Sequence, residues 1–227
     1  MYHYTKFLLI VFLKLVLCYT KSGENMRYIK ESVTHQINID KSIFICILYP
    51  IEHQEDILTY LKDVKIKYPK ANHYCHASIF GKTGEHQTAS DDGEPSRTAG
   101  IPILEVLKHH DVTDILCVVV RYFGGIKLGA GGLVRAYTKA TADTIKLAKF
   151  YQKKEVPVFS LTFEYDKINY FDKFFENQAI ILDKSYQENV TYTLILPNQN
   201  IEIMGEIKHL VISLKEQGVQ IIHVDES

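Results

Sequence analysis

Apolar and polar positions alternate in two different periods along the first two thirds of the chain. Runs with a period of two, or with no polar interruption, predict β-strands. These strands cover residues 37–51, 73–80 and 115–122. Apolar residues spaced three and four apart predict amphipathic helices. These helices cover residues 53–67, 102–110 and 133–150. The polar, glycine-containing stretch 81–95 predicts a loop.

After residue 151 the pattern starts again. It predicts strands over 156–165, 179–185, 190–196 and 219–224, and helices over 169–178 and 201–217. The order β-α-β-β-α-β is that of the ferredoxin-like split βαβ unit. The short polar segment 152–155 predicts a domain boundary. We therefore expect an α+β protein with an N-terminal α/β domain over 26–150 and a ferredoxin-like domain over 156–227.

Residues 1–25 form an apolar N-terminal extension, which we expect to lie outside the fold. The apolar run from Phe7 to Tyr19 contains Lys14 and is shorter than the roughly 20 residues that a membrane-spanning helix needs. No small-residue cleavage site follows it, which argues against a signal peptide. Met26 stands directly before the first strand-like pattern. We expect the fold to begin there, without a membrane anchor.

Charge excludes a strongly basic, histone-like nucleic-acid binder. The 227 residues carry 26 Lys and Arg against 27 Asp and Glu, a formal charge of −1. Residues 26–150 carry 16 basic and 14 acidic side chains, whereas residues 151–227 carry 7 and 12. The acidic C-terminal part is therefore a candidate for a protein partner rather than for a polyanion. The four cysteines form no Cys-x-x-Cys pair, as expected of reduced thiols in a cytoplasmic protein.

A glycine-rich segment with basic residues lies between the predicted strand 115–122 and the helix that follows it. Glycines allow a ligand to approach the backbone, and the free N–H groups of a helix start favour an anion. The spacing matches neither a P-loop nor Gly-x-Gly-x-x-Gly. A structural turn and a phosphate or nucleic-acid contact both remain open. The candidate phosphate-binding residues are Arg121, Gly124, Gly125, Lys127, Gly129, Gly131, Gly132 and Arg135.

An acidic loop precedes the predicted helix 102–110. Asp91, Asp92 and Glu94 lie within four residues, and His76 on the strand before them could join a ligand cluster. Such groups could bind a hard metal ion or act as acid–base catalysts, although the pattern is not that of an EF-hand. The alternative is a loop that caps the helix and pairs with an arginine. We assign no catalytic residue and no metal from this pattern.

His73 and Cys75 fall on one face of the predicted strand 73–80, while His76 falls on the other. Only two of the three could therefore meet one zinc ion without a further ligand such as His86. A structural zinc site usually has four closed ligands. Half-buried, hydrogen-bonded side chains are the expected arrangement, and no cofactor is predicted.

Four segments together resemble the IMPACT/YigZ family, in the bacterial two-domain form. They are NHYCHA at 72–77, SDDGEPSRTAGIPIL at 90–104, RYFGGIKLG at 121–129 and GGLVRAY at 131–137. The resemblance covers residues 26–150, and the C-terminal pattern is similar to the small second domain of bacterial members. One departure is Arg97, where the family usually has glycine.

The resemblance implies an N-terminal domain like domain IV of elongation factor G and like the second domain of a small-subunit ribosomal protein. It also implies regulation of translation in eukaryotic relatives and association with nucleic acid or the ribosome in bacterial ones. We therefore expect a non-enzymatic, cytoplasmic translation-associated protein that binds RNA phosphate or the ribosome through the glycine-rich basic segment. The alternatives are a metal-dependent hydrolase using the acidic loop and a pure protein-interaction module.

Overall fold

The described part of the chain combines strands and helices in a mixed α/β arrangement. The computed structural model describes residues 26–198 and 200–226, so the predicted extension 1–25 lies outside the described residues. The strands are β1 (Arg27–Ile29), β2 (Val33–Ile39), β3 (Ser42–Pro50), β4 (His73–Phe80), β5 (His86–Ser90), β6 (Ile115–Tyr122), β7 (Phe150–Phe163), β8 (Ile180–Tyr186), β9 (Val190–Ile195) and β10 (Ser213–Asp225). The α-helices are α1 (Asp56–Lys67), α2 (Gly100–His109), α3 (Gly129–Ile145), α4 (Ile168–Phe175) and α5 (Glu202–Ile207).

The chain divides into two compact units. The first contains the described residues up to Gln152 together with Glu226, and the second is Lys153–Asp225. The predicted polar linker 152–155 is part of the long strand β7 instead of a loop. Its first residues pair with β1, where Arg27 lies opposite Gln152, and backbone pairing of this kind outweighs the polar character of the segment.

A five-stranded antiparallel sheet forms the first unit, in the order β2-β3-β6-β4-β5. Its central strands are apolar on both faces because helices cover both sides. In β6, Cys117 and Val119 pack with residues of α2 and α3, while Val118 and Val120 pack on the other face with Val64 of α1. Each fully buried aliphatic side chain of this kind stabilises the fold by roughly 1.5–3 kcal/mol.

The sequence prediction missed one hairpin turn and one edge strand in this sheet. The predicted strand 37–51 is a hairpin, because Asp40 and Lys41 both have positive φ and form a two-residue turn between β2 and β3. The predicted loop 81–95 contains the edge strand β5, which pairs with β4. Residues of β5 are mostly exposed, so its sequence lacks an apolar pattern.

Helix α3 also differs from its prediction, since it begins at Gly129 instead of residue 133 and ends at Ile145 instead of residue 150. Three of its first four residues are glycines. Glycine has a low helix propensity, so the sequence alone favoured a loop there. The glycines at 129, 131 and 132 therefore form the first turn of α3 instead of the loop before it.

The second unit has the strand order β10-β7-β9-β8. Phe159, Leu161 and Phe163 of β7 pack with α4 and α5, for example against Phe171 and Met204. The element order matches the prediction, but the predicted helix 201–217 is shorter. Only α5 and a following 3₁₀ turn are helical, and β10 begins at residue 213 because its backbone pairs with β7.

No helix in the described part of the chain is long and apolar enough to cross a membrane.

Candidate functional site

The first carboxylate of the acidic loop fixes the start of α2. Asp91 Oδ1 accepts hydrogen bonds from the backbone N–H groups of Ala99 (3.0 Å) and Gly100 (2.8 Å), and Oδ2 accepts one from Arg97 (2.7 Å). Burial opposes ionisation of this carboxyl, but the three N–H donors outweigh it and lower the pKa of Asp91. Asp91 thus satisfies helix N–H groups that would otherwise lack partners.

The second carboxylate ties the loop to strand β4. Asp92 Oδ2 accepts a hydrogen bond of 2.6 Å from the backbone N–H of Tyr74. The backbone oxygen of Asp92 lies 2.9 Å from Nδ1 of His73. Asp92 has a φ of 41°, a conformation that costs a non-glycine residue energy and persists only where contacts impose it. The acidic loop is therefore held rigidly against the sheet.

The third carboxylate is buried in a polar cluster. Glu94 is 8% exposed, and its Oε1 accepts hydrogen bonds from Nη1 of Arg121 (2.5 Å) and from the hydroxyl of Tyr137 (2.8 Å). Its Oε2 lies 3.9 Å from Nε2 of His73. Burial, followed by the neighbouring Cys75 and Glu94, raises the pKa of Tyr137. The hydroxyl of Tyr137 therefore stays protonated and donates to Glu94.

Arg121 lies inside the unit, at the C-terminal end of β6. It is 5% exposed, and its guanidinium carbon is 5.4 Å from the ring centroid of Phe44 and 5.5 Å from that of Phe123. Strand alternation explains this position, because Arg121 shares the face of Cys117 and Val119. Its Nε has no hydrogen-bond partner among the described residues. The sequence placed Arg121 among the phosphate-binding candidates, but the structure pairs its guanidinium with Glu94.

The cysteine and the second histidine of β4 form hydrogen bonds to backbone oxygens in and near the acidic loop. Cys75 Sγ donates to the backbone oxygen of Asp91 at 2.9 Å, and burial raises the pKa of this thiol to about 12. His76 lies opposite Ser90 of β5, with Nδ1 3.2 Å from the backbone oxygen of Tyr74. A thiol with such a pKa is a poor nucleophile and metal ligand near neutral pH.

The acidic loop does not gather its carboxylates around one point. Asp91, Asp92 and Glu94 each bind different donors, as described above. Among residues 26–198 and 200–226, no group of three or more His, Cys, Asp or Glu side chains is arranged to hold a metal ion.

Glycines let the segment after β6 approach the neighbouring hairpin. A Cβ at Gly124 would lie 2.0 Å from the backbone carbon of Lys41, so only glycine fits there. The N–H of Gly124 donates to Oγ of Ser42 at 3.1 Å. Gly125 and Gly129 have positive φ values of 86° and 67°. The close packing that the sequence left open as a structural explanation is thus present at Gly124.

Two cations of the glycine segment are exposed. Lys127 lies just before the first turn of α3, and Arg135 lies in its second turn, where Nη1 is 3.5 Å from the position of a Cβ on Gly131. Neither side chain forms an ion pair with a carboxylate in the described part of the chain. The first residue of α3 has no side-chain cap. The structure therefore brings Lys127, Arg135 and the glycine turn together and separates them from buried Arg121.

Sequence reasoning missed Tyr137 and His73 as partners of Glu94. Tyr137 enters the sequence prediction only as part of the GGLVRAY segment, although a buried tyrosine usually finds a partner for its hydroxyl. Glu94 falls in a predicted polar loop, and acidic residues are seldom buried unless they are paired. A prediction that both Glu94 and Tyr137 are buried would have connected them, because each then needs a hydrogen-bond partner inside the unit.

This geometry defines a class of α/β unit in which an acidic loop caps one helix and a glycine turn starts the next. Residues 40–145 match the family model of the Impact N-terminal domain. The chain is 35% identical over 179 residues to the IMPACT family member YvyE of Bacillus subtilis. The aligned region covers 78% of this chain and 82% of that relative. It is 30% identical over 197 residues to the IMPACT family member YigZ of Escherichia coli, covering 86% and 95%.

The chain belongs to the IMPACT family, as its motifs indicated. A solved structure is also similar. The crystal structure of a hypothetical protein matches with a TM-score of 0.56 and 28% identity, covering 88% of this chain and 99% of that one. The relatives therefore extend over both units of the chain.

Proposed function

We propose that this chain is a non-enzymatic, translation-associated protein that binds RNA phosphate through Lys127, Arg135 and the glycine turn of α3. The observation that carries the proposal is a pair of exposed cations at the start of a 17-residue helix that has no side-chain cap, and neither cation forms an ion pair with any of the described residues. The positive end of a helix dipole repels nearby cations, so this placement costs energy in the free protein. An anion bound there would relieve the repulsion and accept hydrogen bonds from the free N–H groups of the first helical turn.

The buried pair of Glu94 and Arg121 supports this role without touching RNA. Arg121 is the penultimate residue of β6, and the glycine segment follows it directly. Its contacts with Glu94 and Phe123 hold the end of the strand, and hence the start of α3, in one position. Preorganised donors lose less entropy on binding than mobile ones.

A salt titration tests the proposal. Binding of a fluorescein-labelled 12-nucleotide RNA to the full chain is measured by anisotropy at several salt concentrations. For single-stranded RNA the slope of log K against log[salt] is about −0.7 per neutralised phosphate. Replacing both cations, Lys127→Gln with Arg135→Gln, should weaken binding and make the slope shallower by about 1.4.

The matched control replaces Lys108 and Lys146 with glutamine. Both are exposed, and they lie in the last turn of α2 and just after α3, away from the helix start. This control should bind like the wild type. Absence of RNA affinity in the wild type, or equal binding by the Lys127/Arg135 variant, would refute the proposal.

The finer fold assignments support a translation-associated role. We propose that the second unit is a ferredoxin-like domain, since its strand order β10-β7-β9-β8 and its two helices match the split βαβ arrangement. We also propose that the first unit is related to domain IV of elongation factor G, and that the domains extend over 26–150 and 156–227. A cytoplasmic location and the absence of a cofactor belong to the same proposal.

A protein partner for the second unit is a further candidate. Residues 151–227 carry 7 basic and 12 acidic side chains, and three tyrosines of this unit, Tyr165, Tyr170 and Tyr186, are 47–53% exposed. Exposed tyrosines are enriched at interfaces between proteins. Pull-down from lysate with and without ribonuclease separates this candidate from RNA binding, because a direct protein partner survives the digestion. If every captured protein is lost with ribonuclease, the protein-partner candidate is wrong.

A further inference from the structure

A second group of cations lies in the C-terminal half of α1 and the turn after it. Lysines occupy positions 62, 65, 67 and 70, and the single acidic residue between them is Asp63. All four lysines are exposed, and none of them forms an ion pair with a carboxylate in the described part of the chain. Ile66, between two of them, is 77% exposed. Local net positive charge without partners marks a surface that attracts a polyanion.

Hydrogen bonds attach this lysine segment to the end of β6. The backbone N–H of Asn72 donates to the carbonyl of Arg121 at 2.9 Å, and Asn72 Oδ1 accepts from the N–H of Phe123 at 2.8 Å. The hydroxyl of Tyr122 donates to the backbone oxygen of Pro69 at 3.1 Å. The residues after α1 therefore lie directly beside the first residues of the glycine segment.

Aromatic rings lie on both faces of the sheet at this end of β6, since Tyr68, Tyr74 and Tyr122 pack on the face covered by α1, whereas Phe123 lies beside Arg121. Phe123 is 43% exposed, and Tyr68, Tyr74 and Tyr122 are half-buried. Burial and then the neighbouring Tyr74 and Tyr68 raise the pKa of Tyr122, as expected of three phenols close together. Nζ of Lys65 lies 5.5 Å from the ring centroid of Tyr74.

The tyrosine rings are also held in place. The hydroxyl of Tyr74 donates to the backbone oxygen of Tyr68 at 2.6 Å, and that of Tyr122 is bonded to Pro69 as described above. Fixing the hydroxyls restricts the orientation of the rings. An immobilised ring loses little further entropy when a planar group stacks on it.

We propose that these residues form a binding surface for single-stranded RNA. The RNA strand crosses the end of the sheet, where its bases stack on Tyr122 on the α1 side and on Phe123 beside Arg121, and its phosphates contact Lys65, Lys70 and Lys127. This inference rests on the proposed function and adds the strandedness of the ligand and a second set of contacts. Stacking needs bases whose faces are open, which a duplex does not offer.

The experiment compares two RNAs, a labelled 12-nucleotide strand of mixed sequence and the blunt duplex that it forms with its complement. Binding of both to the full wild-type chain is measured by anisotropy at one salt concentration. We expect the single strand to bind at least about tenfold more tightly than the duplex, because base–aromatic stacking is available to it alone.

Variants then separate stacking from charge. Phe123→Leu keeps an apolar side chain but removes the π-face, and should weaken single-strand binding at least about fivefold while leaving duplex binding unchanged. Phe123→Trp should restore it. Replacing Lys65 and Lys70 with glutamine should make the salt slope for the single strand shallower by about 1.4. The Lys108/Lys146 control described above should not change it.

The outcomes distinguish this inference from the proposed function. If the wild type binds neither RNA, the proposed function fails and the inference fails with it. If it binds strand and duplex equally and Phe123→Leu has no effect, or if the Lys65/Lys70 variant keeps the wild-type slope, this inference alone is overturned. If RNA does not bind, the inference is wrong whether or not a protein is captured from lysate after ribonuclease treatment.

Discussion

Removing one half of the buried ion pair should destabilise the first unit far more than removing both halves. We predict that Arg121→Met lowers the free energy of unfolding of this unit by about 3–5 kcal/mol, because it leaves the Glu94 carboxylate buried with Tyr137 as its one strong donor. Methionine replaces part of the aliphatic stem of arginine. The loss therefore reports mainly on the uncompensated charge instead of on a cavity.

The burial of the pair sets this magnitude. The side chains of Arg121 and Glu94 are 6% and 3% exposed, so solvent screens their interaction little. A hydrogen bond between charged groups contributes about 1.5–3 kcal/mol, and the rest of the loss is the cost of burying an unpaired carboxylate. In the double variant Glu94→Gln with Arg121→Met that cost disappears, so we expect it to be more stable than Arg121→Met alone by at least about 1 kcal/mol.

Hydrogen exchange followed by mass spectrometry is the suitable assay, because a chain with two units need not unfold in one step. Peptides from β6 and α3 report on the first unit, and a peptide from β9 in the second unit serves as the internal control. The protection of β6 should fall in Arg121→Met and recover in part in the double variant, with β9 unchanged. A loss below about 1 kcal/mol in Arg121→Met, or a double variant no more stable than Arg121→Met alone, would refute the reasoning.

Two further predictions concern the acidic loop and the glycine segment. Asp91→Asn should cost about 1 kcal/mol at pH 7, because asparagine keeps one acceptor oxygen and replaces the other with an N–H₂ donor, so at least one of the three backbone N–H groups loses its acceptor. The pKa of Asp91 is lower in the folded than in the unfolded protein. Its ionised carboxylate therefore stabilises the fold fully above the unfolded pKa of about 3.9, and this stabilisation is lost as the pH falls through the folded pKa. Thermal unfolding from pH 7 to 3 should show a weaker acid dependence in the variant, and an unchanged acid dependence would contradict the assignment. Gly124→Ala should lower Tm more than Gly125→Ala. A Cβ at Gly124 would collide with the Lys41 backbone, whereas a Cβ at Gly125 would meet open space and only the positive φ would be strained. Equal shifts in Tm would count against the close approach of Gly124 to Lys41.

The first unit shows which features a single sequence specifies well. Strands β4 and β6 and helix α1 were predicted within a few residues, because both faces of the sheet are covered and long apolar periods identify such elements. The elements that were missed lack that signal. β5 is an exposed edge strand, the first turn of α3 is mostly glycine, and the hairpin turn at Asp40 and Lys41 interrupts an otherwise continuous apolar run.

The sequence identifies the residues of the candidate site by type but says little about their environment. Basic residues near glycines suggested one phosphate-binding set, and the structure shows in addition that Arg121 is buried and paired with Glu94. The sequence of β6 already indicates that Arg121 is buried. Arg121 follows Val119 by two residues and Cys117 by four, so the strand places all three side chains on the same face, which is buried. A charge on a buried face requires a partner of opposite charge. Applied to the strand and to the acidic loop, that rule predicts a carboxylate partner for Arg121 in the loop, and in the structure this partner is Glu94. Lys127 and Arg135 are the cations of the segment that face solvent.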